Sequence, residues 1–186
     1  MNTRDTVLAA AQRLLTTDPT ASIAQIAAAA GVGRATVHRH FATREDLLHE
    51  IGVRSLERWA QSLAEADLAG AVASGDPARL RTCLDDLLGR FVVDAEELGI
   101  ALTDPTVLNA PDLRERAEAL FAEEVALYAA AQAAGVLRGD VPARWLGHSV
   151  YGLLVAVRDA LVAGDIARRD APALVLSMFL EGGAAR

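Results

Sequence analysis

The segment SIAQIAAAAGVGRATVHRHFATRED, residues 22–46, constrains this chain more than any other, because it sets two helix starts and one helix stop around a tight turn. Ser22 stands before an apolar-periodic run with Gln25 three residues on, the pattern of a capping box. Ile23, Ile26 and Ala27 give that short helix one apolar face. Gly31 falls where a helix ends in the left-handed conformation, which glycine adopts without a Cβ clash. A third helix is expected from Gly33 or Arg34 to Phe41. Thr43 then caps a fourth, with Asp46 at its third position and acids in its first turn to complement the helix dipole. Two short helices about a glycine-containing turn form a helix-turn-helix.

The surrounding sequence is helical as well. Val7, Leu8, Ala11, Leu14 and Leu15 make an amphipathic stripe in a first helix over 4–15, which Pro19 ends by excluding Asp18 from helical geometry. The fourth helix is expected to run to about residue 68, with Leu48, Ile51, Ser55, Trp59 and Leu63 along one side. The small residues of 69–77 read as an irregular link. Further helices are expected near 77–94, 111–134, 142–163 and 171–181, with Pro111 and Pro142 at helix starts. The stretch between 98 and 111 reads as a poorly regular connection with room for one short helix. Alanine and leucine dominate and aromatics are few, which favours helix over strand. The chain reads as all-α.

The net charge is −7, yet Arg34, Arg39 and Arg44 crowd around His38 and His40. Residues 1–58 hold seven arginines against six acids, whereas 59–186 hold eleven against nineteen. Any contact with a polyanion must therefore be local. A helical wheel with Val37 at the core puts Phe41 only about 40° away, as a second anchor, and puts Ala35 and Arg39 about 160° away. Arg34, Ala35, Thr36, His38 and Arg39 then form an outer face suited to a DNA major groove: a small residue at closest approach, with hydroxyl, guanidinium and imidazole around it. Ser22 and Thr43 present helix N-termini to phosphates, and Arg4, His40 and Arg44 could add charge.

The run SIAQIAAAAGVGRATVHRHFATREDLL closely resembles the DNA-binding signature of the tetracycline-repressor (TetR) family of bacterial regulators. That signature is an Ile-Ala helix, Gly-Val-Ser, a short basic helix ending in His-Phe, and Ser-Lys-Glu-x-Leu. The match covers residue 4 to about 50. The resemblance implies phosphate contacts by Ser22, Thr43 and Arg44 and base contacts by Arg34, Ala35 and Thr36. Gly33 replaces the usual serine of the turn, and His38 replaces a tyrosine whose phenol often meets the DNA backbone. Arg44 for lysine keeps the charge. The implied architecture is a three-helix helix-turn-helix DNA-binding domain, residues 1–50, followed by a larger helical effector-binding and dimerisation domain, residues 51–186. The implied function is that of a homodimeric regulator, most often a repressor, released from a near-palindromic operator by a small apolar effector.

For the second part the residues leave two readings open. Leu146, Val150, Leu153, Leu154, Val157 and Leu161 form one broad stripe, continued by Leu174, Met178 and Phe179. It could feed the protomer's core. The family instead pairs through its last two major helices, which makes Val150, Leu154, Val157, Leu161, Leu174 and Met178 candidates for the dimer interface. Seven of the eight aromatics lie beyond residue 58, and Phe91, Phe121, Tyr128, Trp145 and His148 are the candidates for an effector pocket.

Catalytic and metal signals are weak. Gly31-x-Gly33 follows no strand and lacks a third glycine, and without lysine there is no P-loop. His38 and His40, two apart on a helix, diverge too far to share a metal. No catalytic residue, metal or cofactor is expected. Cys83, the one cysteine, reads as a small core residue in a chain suited to the cytoplasm. The longest uncharged apolar stretch, SVYGLLVAV, is far below the ~20 residues of a membrane span. The alternative reading is a helical small-molecule-binding protein or enzyme with a vestigial helix-turn-helix.

Overall fold

The computed structural model describes residues 2–183. Among them are eleven helices and no strand. Helix α1 (Thr3–Thr17) is capped by the Asn2 side chain, which accepts the Asp5 N–H, and it ends at Asp18 ahead of Pro19. Helix α2 (Ile23–Ala29) begins with the complete Ser22–Gln25 capping box and stops at Gly31, φ +68°. Helix α3 (Arg34–His40) follows the turn, and Thr43 and Asp46 form a second capping box at the start of α4 (Arg44–Glu65). Val7, Leu8, Leu15, Ile26, Val37, Leu47 and Ile51 from these four helices are wholly buried against one another.

Helix α4 is 22 residues long, roughly 33 Å at 1.5 Å per residue. It stops short of residue 68 because Asp67 takes a left-handed conformation, φ +52°. The chain then resumes helix at once as α5 (Leu68–Ser74), where an irregular link was expected. Leu68 and Ala71 bury themselves in the core there, and that packing outweighs the low helix propensity of the glycine between them. The connection after residue 98 likewise holds two short helices, α7 (Ile100–Thr103) and α8 (Pro105–Leu108).

Helix α6 (Pro77–Leu98) is the central strut, capped by Asp76 and packed against α1, α4, α10 and α11. Helix α9 (Pro111–Ala133) lies on α4 and α10 (Ala143–Ala163), and α11 (Ala171–Gly183) closes the bundle against α6 and α10. One continuous core runs from α1 to α11.

The stripe on α10 divides between two surroundings. Val150, Leu154 and Val157, expected at a dimer interface, are buried in the protomer's own core, because a 3.6-residue period brings them onto the face that meets α6 and α9. Leu161 is half-buried, while Leu174 and Met178 on α11 are exposed. Helix α10 is also the one described helix long and apolar enough to cross a membrane by length and composition, longer than its uncharged stretch suggested, and only 22% of its most apolar window is buried in the protomer.

Candidate nucleic-acid interface and ligand cavity

Val37 and Phe41 clamp α3 from behind, so that Arg34, Ala35, His38 and Arg39 face solvent and Thr36 is half-buried. The outer face read from the helical wheel is thus assembled in space. Arg34 Nε donates to His38 Nε2 at 3.2 Å, and His38 Nδ1 lies 3.3 Å from the Ala42 carbonyl. This pair of contacts requires the neutral Nδ1–H tautomer: one nitrogen accepts from Arg34 while the other donates to Ala42. His38 therefore steers the guanidinium of Arg34.

The flanking candidates carry structural duties of their own. The Ser22 hydroxyl and N–H are both engaged with Gln25, and Thr43 is engaged with Asp46. What α2 still offers a phosphate are the first-turn N–H groups of Ile23 and Ala24, which have no intrahelical acceptor. Arg44 does not simply project its charge: its guanidinium donates to the carbonyls of Ala21 and Pro19, bracing the α1–α2 turn. Arg4 pairs with Glu50 at 2.8 Å and lies over the Phe41 ring, tying α1 to α3 and α4. His40 is turned inward, its Nε2 buried without a hydrogen-bond partner, and so does not share the outer face of α3. Its position two residues from His38 places it near Val37 on the wheel, and packing completes the rotation inward.

A cavity of about 390 Å³ opens among α4, α6, α9 and α10, within the usual range for small-molecule sites, about 300–1,000 Å³. Of the effector-pocket candidates, Phe91, Phe121 and His148 line it. Tyr128 and Trp145 do not. Tyr128 is wholly buried beneath the cavity. Trp145 is 60% exposed on the outer side of α10, above a shallow groove shared with Ser149, Gly152 and Met178. Val150 and Leu154 line the cavity in their place. Gly147 admits the Phe121 ring: a Cβ there would come within 2.4 Å of its Cε2.

Glu124, which no sequence motif marked, is the most unusual group in this cavity. It lies on α9 among Leu120, Leu127 and Tyr128 and is 3% exposed. Burial pushes its carboxyl up to about 7, against the pull of the Tyr128 hydroxyl, which donates to Oε1 at 2.5 Å. The Trp59 indole N–H leans toward the same carboxyl without completing a hydrogen bond. The signal was present as an interruption, since Glu124 sits in register with the apolar stripe of α9. The other acids on the cavity wall are matched. Asp94 accepts from Arg58 and Ser62, and Glu118 pairs with Arg144, which holds it below the usual carboxylate range. Burial pushes the Cys83 thiol up to about 11, so it stays neutral and unreactive.

Helix α4 joins the two sites. It begins beside α3, and its Gly52, Ser55, Leu56 and Trp59 form one cavity wall. Gly52 is pressed against Leu113 and Val107, where a Cβ would meet Leu113 Cδ1 at 2.6 Å. His49 pairs with Asp112 at 2.8 Å, tying α4 to the first turn of α9 and lowering the Asp112 pKa.

An all-α fold with a clamped, outward-facing basic α3 and a helix leading from it to an apolar chamber defines a helix-turn-helix protein with a cavity of small-molecule size. The family model described as bacterial regulatory proteins, tetR family, matches residues 7–51. The HTH-type transcriptional repressor LfrR of Mycolicibacterium smegmatis is 31% identical over 180 residues, covering 95% of this chain and 88% of that protein. The crystal structure of LfrR in complex with proflavine superposes with a TM-score of 0.66 at 26% identity, over 97% of this chain and 96% of that one. The structure of AibR with isovaleryl coenzyme A and operator DNA shares the fold, with a TM-score of 0.70 at 19% identity over 96% of this chain and 98% of that one. The chain belongs to the TetR family and is a DNA-binding transcriptional regulator.

Proposed function

We propose that the protein is a homodimeric repressor, acting in the cytoplasm, that leaves a near-palindromic operator when a small ligand enters the cavity. The observation that carries this reading is the continuity of α4, which runs unbroken from the clamp on α3 to the cavity wall. The DNA-reading unit, residues 1–50, and the effector unit, 51–186, therefore share one rod. LfrR, named a repressor, and its complex with proflavine support both the direction of regulation and the ligand site.

In this reading Arg34, Ala35, Thr36, His38 and Arg39 meet base edges or adjacent phosphates, and the helix starts at Ser22 and Thr43 meet phosphates. Arg4 and Arg44 chiefly hold the reading head rigid. The dimer face is the exposed side of α10 and α11. Trp145, Ser149 and Gly152 supply a strip on which a second helix can approach closely, with Leu174 and Met178 beside it. Pairing there covers the apolar part of α10 that the protomer leaves open and sets two α3 helices for half-sites about 34–36 Å apart.

Footprinting on the DNA flanking the protein's own gene tests the proposal. Sequence-selective, salt-sensitive protection of a two-fold site is expected. A footprint without two-fold spacing, or no selective protection, removes it. Coupling is read by measuring ligand affinity with and without operator, because the two effects must be equal.

A further inference from the structure

Resting on the reading of the cavity as the effector site, we propose that the effector is an apolar cation and that Glu124 is the group that receives its charge. Arg58 and Ser62 satisfy Asp94 on the α6 wall, and Arg144 of α10 satisfies Glu118 near the mouth. Arg114 and His148 are exposed at that mouth. Arg114 lies ten residues before Glu124 on α9, about 15 Å along the helix axis. Among the described residues Glu124 forms no ion pair. On its inner side are the phenol of Tyr128 and, beyond that, the neutral thiol of Cys83.

The hydrogen-bonding groups around Glu124 favour the anion over the neutral acid. Tyr128 O–H donates to the carboxyl, and the Trp59 N–H, buried and otherwise unpartnered, leans toward it. A neutral acid could give its proton to the Tyr128 oxygen only by taking away the acceptor of the phenol's own O–H, whereas the carboxylate can accept from both Tyr128 and Trp59. The site is therefore arranged for a carboxylate but lacks the counter-charge that would keep one ionised away from water. An incoming cation supplies that charge. Trp59, Phe91 and Phe121 enclose the ligand's apolar body, and their ring faces favour positive charge as well. Entry of the cation displaces the carboxyl proton to solvent, so ligand uptake and proton release are coupled near neutral pH.

The test uses three probes of similar shape with the full-length protein at pH 8: N-methylacridinium, a permanent cation; acridine, neutral at that pH; and anthracene-9-carboxylate, an anion. Fluorescence titration is expected to show the cation binding at least tenfold more tightly than the other two. With Glu124 titrating at about 7, only the ionised fraction is competent, so the cation's Kd should rise about tenfold from pH 8 to pH 6. N-methylacridinium has no titratable group of its own. Glu124→Gln should erase both the preference and the pH dependence. Tyr128→Phe should keep the preference and move the midpoint to higher pH, because the carboxylate loses a donor. Equal or tighter binding of acridine or the anion overturns the inference, as does a charge preference that survives Glu124→Gln. If acridine binds and releases operator DNA as well as the cation does, the cavity reading stands and the charge assignment fails. If no probe binds the wild-type protein, both fail.

Discussion

The reading head and the ligand chamber handle polar groups in opposite ways. In the head, α1 to α3 and the start of α4, wholly buried apolar side chains form the core, and the charges stay toward the surface, several of them paired: Arg4 with Glu50, Arg44 on two turn carbonyls, Asp46 in a cap. In the chamber, α9 carries an acid into the interior beside a void. The filled head is built to hold α3 in one orientation. The chamber retains an unmet electrostatic need that a ligand can satisfy, and differential binding of this kind is what shifts a population. Rigidity at one end and incompleteness at the other are what a switch connected by a rod requires.

The largest expected effect is at the clamp. Phe41→Ala should cost about 3–5 kcal/mol of stability in the head and abolish operator binding while the cavity still takes its ligand. Urea denaturation followed by gel shift and ligand titration would show this, and loss of both activities together would mean that head and chamber are one unit.

Glu124 gives the next effect. Its folded pKa lies above its ordinary value, so the protein is favoured while the group is protonated, and that advantage fades as pH rises through about 7. Between pH 5 and pH 8 the wild type should lose up to about 3 kcal/mol from this one group. Glu124→Gln should remove that slope in denaturant titrations, and an unchanged slope would place the source elsewhere.

Smaller effects sharpen the division of labour within the head. Arg34→Ala should cost about 1–3 kcal/mol of discrimination at one base pair and leave stability unchanged. Arg44→Ala should instead lower stability by about 1–3 kcal/mol, since two turn carbonyls lose a charged donor. Binding across a panel of operator variants, set beside melting curves, separates the two, and identical behaviour would merge their roles. The smallest net effect is expected for Gly52→Ala, about 1 kcal/mol, because crowding of Leu113 and Val107 by the new methyl is partly offset by alanine's higher helix propensity. Its informative readout is the coupling between ligand and operator, measured by titrating each in the presence of the other.

The backbone devices of the head were legible residue by residue, though the roles of Arg4, His40 and Arg44 were not. The capping boxes, the glycine stop and the Val37–Phe41 anchor are local devices, each complete within a few residues, so spacing alone locates them. The chamber was not. Phe121 and Phe91 look the same in a sequence whether they fill a core or line a void. Trp145 and Val150 exchanged their expected places because periodicity specifies a face without specifying what meets it.

The all-helical class, the helix boundaries around the turn and the outward face of α3 follow from contacts between near neighbours in the chain, so residue spacing is enough to reveal them. It took long-range packing to set Arg44 against a turn 23 residues away, to give most of the α10 stripe to the protomer's own core, and to shut Glu124 away from water. Each of these depends on which surfaces meet across long stretches of chain, and solvation, unlike helical spacing, is a property of that meeting.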